Sequence, residues 1–337
     1  MVGYDRHDSG VPRSGVGEAG EVRGAAAGGR ERDHVGVHVE RRRERADACH
    51  QQLARIPPRP DRARPAAHAG QLTVTTIAFD RLQHLVQVPV TVGTTEYPFL
   101  VDTGIGTTVI SSALADRLDG ATTGETFTGR RMSGQAIEVP LVRVPRIALG
   151  DYVVEGHVAG VADLGDAFAG ILGPTFFENQ TVTTDPDAKT LSIQPREEFL
   201  ADGPEIPLDV RRESVSADPF AQLVLPSGRE ITVEVDTGSD SLILDARFAA
   251  DCGIDLEGPD VTTRTGTDET GYVWQRQWAT IAGSVHLAAA PQTAQAAPRI
   301  LFQDIIHDGL VGTGYLERYR MTFDITGARL VLGTRTL

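Results

Sequence analysis

The chain has 337 residues, a formal charge of −14 and 40% hydrophobic side chains, enough sequence for one large core or two of ordinary size. No run of 18 or more apolar residues occurs, which argues against a helical membrane span, and the acidic balance disfavours binding to nucleic acid or anionic membranes. Two cysteines, Cys49 and Cys252, supply no disulfide framework.

Residues 1–70 hold 13 Arg, 10 acidic residues and five His among scattered apolar side chains, too little apolar surface to offset the entropy of ordering them. The expectation is a disordered Arg-, Gly- and Ala-rich tail, or an upstream stretch that is not translated, with the true start downstream of Met1. No short apolar core follows a basic start, so no signal peptide is read, and the cytoplasm is the favoured compartment. Residues 71–337 carry 19 basic against 36 acidic side chains, a net of −17.

From Leu72 the texture turns β-rich. Leu72 to Phe79 and Leu85 to Val92 are dense in Val, Thr and Ile, and a turn at Gly93-Thr94-Thr95 leads to Tyr97 to Val101. This hairpin runs into Asp102-Thr103-Gly104, followed by a helix candidate over Ser111 to Leu118. A second hairpin candidate spans Phe127 to Val139, with its tip at Arg131-Met132-Ser133-Gly134. Then come Gly170-Ile171-Leu172-Gly173 and a closing hairpin, Thr181 to Asp185 with Thr190 to Ile193. A linker is expected near Pro195 to Gly203.

The order then repeats. Phe220 to Leu225, a turn at Pro226-Ser227-Gly228 and Ile231 to Val235 run into Asp236-Thr237-Gly238, followed by a helix candidate over Asp245 to Cys252. A hairpin candidate over Arg264 to Trp274 has its tip around Gly266 to Gly271. Gly309-Leu310-Val311-Gly312 follows, and Met321 to Asp324 with Arg329 to Leu332 closes the chain. The expected domains are residues 72–200 and 204–337.

Composition gives about 0.3 chance copies of Asp-Thr-Gly, so one copy would be weak evidence. Two copies are stronger, because each ends an apolar strand and precedes an apolar segment between glycines at similar spacing. With these motifs the sequence resembles the aspartic peptidase clan, both two-lobed pepsin-like enzymes and retropepsin-like proteins, over roughly Leu72 to Leu337. The resemblance implies an all-β fold of two similar acid-protease-like β-barrel lobes related by a pseudo-twofold, with the active cleft between them. It implies catalytic roles for Asp102 and Asp236, which at close range would share one proton and activate a water. Thr103 and Thr237 would cross the lobe interface to bond the opposite backbone. Gly104 and Gly238 would turn the loops and aim N–H groups at the carboxylates, and Ser239 would hydrogen-bond its aspartate. The Ile171-Leu172 and Leu310-Val311 segments would pack beneath the loops in a psi-shaped arrangement.

The implied partner is a polypeptide substrate held as an extended strand between the active loops and overhanging flaps, contacted at Met132, Ser133, Gly134 and Gly271. No cofactor and no metal are required. With both aspartates on one chain, a monomer is expected. Neither flap offers the pepsin-pattern Tyr, which favours a fused retropepsin-like pair. One departure stands out: Ile105 occupies the position of Ser239, where Ser or Ala is usual. It motivates the alternative of a catalytically inactive peptide-binding protein with the same fold. No Gly-x-Ser-x-Gly elbow is present, and His84, His157, His286 and His307 are read as solvated or core residues without metal-ligand spacing.

Overall fold

The computed structural model describes residues 74–118, 122–267 and 273–335. Among these the chain is mostly β, and its α-helices are single turns, Ser112–Ala115 and Thr313–Leu316. The strands follow from alternation of side chains across a pleated backbone. In Leu85–Val92, Val86, Val88, Val90 and Val92 all enter one buried cluster. In Glu230–Val235, Ile231, Val233 and Val235 do the same in another.

Eight strands between Asp80 and Leu172 form one sheet, in which Leu85–Val92 pairs with Thr95–Val101 and also reaches Ala136–Leu149, so that the sheet folds back on itself. Its centre is Thr95–Val101 lying parallel to Gly170–Leu172, with Phe99 opposite Gly170 and Val101 opposite Leu172. Val109–Ser111 runs antiparallel to Gly170–Leu172 and parallel to Tyr152–Ala162. The tight Phe99–Gly170 crossing needs a glycine, since a Cβ there would sit against the Phe99 ring.

A ten-stranded sheet between Asp209 and Val311 repeats these pairings. Glu230–Val235 lies parallel to Gly309–Val311, with Val233 opposite Gly309 and Val235 opposite Val311. Leu242–Asp245 runs antiparallel to Gly309–Val311 and parallel to Arg299–Gln303. Both expected flap hairpins form where they are described: Thr122–Arg130 with Ala136–Leu149, and Thr262–Thr267 with Val273–Thr280.

A six-stranded sheet joins the two segments. It runs from Thr75–Ala78 through Thr190–Pro195 and Gln180–Asp185 to Arg320–Asp324, Arg329–Gly333 and Glu205–Pro207. The junction is antiparallel, with Thr183 opposite Thr322 and their hydroxyls 2.8 Å apart. Just after the expected linker, Glu205–Pro207 forms the edge strand paired with Arg329–Gly333. The expected helix over Asp245–Cys252 is replaced by two 3-10 turns, Ala246–Phe248 and Ala250–Cys252, which end at Gly253 in a left-handed conformation.

Candidate active site

Each parallel pair of strands delivers an aspartate to the same place. Asp102 N–H donates to Leu172 O at 3.1 Å, and Asp236 N–H donates to Val311 O at 3.0 Å. The loops then turn so that Gly104 N–H donates to Asp102 Oδ1 at 2.8 Å and Gly238 N–H to Asp236 Oδ1 at 2.7 Å. The structure brings the loops face to face. A Cβ on Gly104 would strike the Asp236 carboxyl, and a Cβ on Gly238 would strike the Asp102 carboxyl. Only glycine leaves room for two carboxyls at this contact.

Thr103 and Thr237 lock the loops together. Thr103 N–H donates to Thr237 Oγ1 and Thr237 N–H to Thr103 Oγ1, both at 3.0 Å, across 134 residues of sequence. Thr103 Oγ1–H also donates to Val235 O at 2.6 Å. Ser239 N–H donates to Asp236 O at 3.4 Å, but among the described hydrogen bonds its hydroxyl does not reach the Asp236 carboxyl. Its hydroxyl donates to Ser241 O at 3.5 Å and accepts from Ser241 N–H at 3.3 Å. Ile105 packs against an apolar cluster of Leu85, Leu100, Phe168 and Ile171.

Asp236 is buried, with 6% of its surface exposed, while Asp102 is half-buried. Burial first, and then the negative charge of Asp102, holds the Asp236 carboxyl well above the usual carboxylate range, with a hydrogen bond to Asp102 acting in the same direction. The Gly238 N–H opposes the shift. The Asp236 carboxyl is therefore the one of the facing groups that burial and charge favour in its protonated form. Such a pair can take a proton from water on one side and give one to a carbonyl oxygen on the other.

At the tip of the first hairpin, Arg131 N–H donates to Gln135 O at 2.9 Å and Gly134, at φ +84°, donates to Arg131 O at 2.8 Å. Met132 O accepts from Ile306 N–H at 3.0 Å, tying the tip to the ten-stranded part of the chain. The Ser133 hydroxyl is buried and has no hydrogen-bond partner among the described residues. Gly271 lies outside the described residues.

Four residues near the loops were given no site role from sequence. His84 Nε2 lies 2.9 Å from Gly238 O, so that nitrogen carries the hydrogen and braces the second loop. Glu234, His307 and Asp218 lie behind Asp236. A Glu inside a strand otherwise reading Ile-Thr-Val-x-Val was the available signal for this group. Among the described residues, no group of three or more His, Cys, Asp or Glu is arranged to hold a metal ion, and no helix is long and apolar enough to cross a membrane.

Two strand ends of this mostly β chain set the Asp102 and Asp236 carboxyls against the opposite loop. Residues 88–176 match the model of a family described as aspartyl protease. The match runs from within Leu85–Val92 through Asp102 to the turn Pro174–Phe177 and supports an aspartyl protease family, and with it a hydrolase. No curated protein matches the chain as a relative.

Proposed function

We propose that the chain is an aspartic endopeptidase that hydrolyses peptide bonds with a water activated by Asp102 and Asp236. The observation that carries this reading is the reciprocal fit of the loops, in which each glycine leaves space for the other loop's carboxyl. The fold reading that goes with it is two similar lobes, residues 72–200 and 204–337, about a pseudo-twofold with the cleft between them. The repeated strand pairings and the constant loop geometry support it. In this reading Asp236 donates its proton to the scissile carbonyl oxygen while Asp102 takes one from the attacking water. The substrate lies extended beneath the flaps, near Met132, Ser133, Gly134 and Gly271. One chain supplies both aspartates, so a monomer suffices, and gel filtration of active material checks this.

The second reading, a peptide-binding protein without chemistry, rested on Ile105. Its support weakens because Ser239 spends its hydroxyl on Ser241, so Ile105 costs Asp102 no bond that Asp236 enjoys. The test is cleavage of a mixed peptide library from pH 3 to 7. Asp102→Asn and Asp236→Asn should each lower cleavage by a thousandfold or more, on the order of 4 kcal/mol in the barrier, with the fold intact by circular dichroism. Full activity in either variant would overturn the dyad. Peptides bound yet uncut at every pH would favour the second reading.

A further inference from the structure

Gly238 carries the N–H that holds the Asp236 carboxyl, and a glycine backbone is freer to rotate than any other. Pinning that N–H alone leaves the carbonyl side of the residue loose. Here a distant side chain pins it: His84 Nε2–H donates to Gly238 O at 2.9 Å, across 154 residues of sequence. The next carbonyl, Ser239 O, accepts from Thr313 N–H at 2.8 Å and from Thr313 Oγ1–H at 3.0 Å.

A tight hairpin places His84 for this bond. Asp80–Leu82 pairs with Leu85–Val92 through a turn in which Gln83 takes φ +58°, and His84 stands half-buried beside it. Arg81 fastens the hairpin at two points, because its guanidinium donates to His84 O and to the Glu317 carboxylate. It also lies over the Phe79 ring at 5.1 Å. Glu317 follows the single helical turn Thr313–Leu316, and its N–H donates to Thr313 O at 2.8 Å. The contacts close a ring that runs from His84 to Gly238, through Ser239 and Thr313 to Glu317, and by way of Arg81 back to His84.

The first loop is held by other means. Val86 stands opposite Val101, and Phe220 opposite Glu234, which makes Ala217 the counterpart of His84. Ala217 reaches the first loop with its backbone, its N–H donating to Gly106 O at 3.0 Å. Gly106 permits this approach, since a Cβ there would strike Asp218. A backbone donor survives every substitution but proline. An imidazole donor does not, so the hold on the second loop depends on the identity of one side chain.

Resting on the dyad reading above, we propose that His84 is a positioning residue for Asp236. From the first segment it fixes Gly238, and with it the N–H that orients the carboxyl, while Arg81 and Glu317 hold the hairpin that carries the imidazole. A small misplacement of a catalytic group lowers turnover even when binding is unaffected.

The test uses the full chain carrying His84→Phe, which keeps a ring and loses the donor, and His84→Gln, whose side-chain amide can donate in its place. On a library peptide that the chain cuts, kcat should fall about tenfold or more in His84→Phe, with KM within about twofold. His84→Gln should recover most of that loss, and His84→Leu serves if the Phe variant folds poorly. A readout independent of cleavage is amide hydrogen exchange followed by NMR. In His84→Phe the Gly238 amide should exchange faster by about tenfold or more, while the Thr103 and Thr237 amides keep their rates. A general loss of stability would accelerate all three together, and that result overturns the proposal. Gly238 exchange equal to that of the unaltered chain, or a Gln variant no better than the Phe variant, overturns it as well. If Gly238 responds as expected but no form of the chain cuts peptide at any pH, the brace stands and it is the peptidase reading that fails.

Discussion

The Thr103 hydroxyl is asked for three things at once: it gives its hydrogen to Val235 O, takes one from Thr237 N–H, and does so while almost fully buried. Removing it leaves a buried carbonyl and a buried amide without partners, which costs about 1–3 kcal/mol for each group. Thr103→Val, nearly the same shape, should therefore lower unfolding stability by roughly 2 kcal/mol or more in urea titrations. Thr103→Ser keeps the hydroxyl and should lose less than about 1 kcal/mol. Equal losses in the two variants would show that the methyl, and not the hydrogen bonds, holds the loops. The residue type was legible from the repeated motif. The Ser239 partner was not, because a hydroxyl chooses among acceptors of its own loop, and only the backbone path decides which one it meets.

At the scale of elements, hairpins and motif strands followed from alternation and turn residues, while Asp245 to Cys252 did not form a helix. Asp245 accepts from Arg247 N–H and also from Ile305 N–H in a distant strand connection. That tie holds the backbone in short 3-10 turns, which cover the core with Phe248 and Cys252. The tertiary bond from Ile305 is invisible in local sequence. The Cys252 thiol ends up 3% exposed, and burial, then Asp251, pushes it up to about 12. In the full chain carrying Cys49→Ser, alkylation of Cys252 at pH 8 should be slower than that of a free thiol by more than about a hundredfold. It should accelerate across the denaturant transition. Labelling at the free-thiol rate in the native protein would mean that these turns open readily.

Across the whole molecule, two sets of buried groups pull stability in opposite directions as pH changes. His157 is half-buried, bonds Thr108 Oγ1 at 2.9 Å and is lowered by desolvation of its ring to about 4. Its contribution is present above its unfolded value near 6.5 and is lost as pH falls towards 4, amounting to roughly 3 kcal/mol. Asp236 and Glu234 are raised, so their contribution is present below the ordinary carboxylate range and is lost as pH rises through their folded values. Between about pH 4 and 6.5 the terms oppose each other. His157→Gln should flatten the fall in unfolding free energy between pH 6.5 and 4, measured by urea titration at each pH. An unchanged slope would place the acid-sensitive group elsewhere. The repeat made the two central sheets legible, whereas the sheet that joins the segments was not, since its pairing partners lie 139 residues apart.

That joining sheet has a structural consequence for any shortened chain. Its seam pairs Thr183 with Thr322, flanked by Val182 with Phe323 and Thr184 with Met321. A polypeptide ending near residue 200 would present Gln180–Asp185 as an open edge, with amides and carbonyls spaced to receive an antiparallel neighbour. The readiest neighbour is the same strand of another such fragment, meeting it Thr183 to Thr183. Severing the molecule at its linker would thus turn an internal seam into an adhesive border, and one self-contained polypeptide into halves that recruit their own kind.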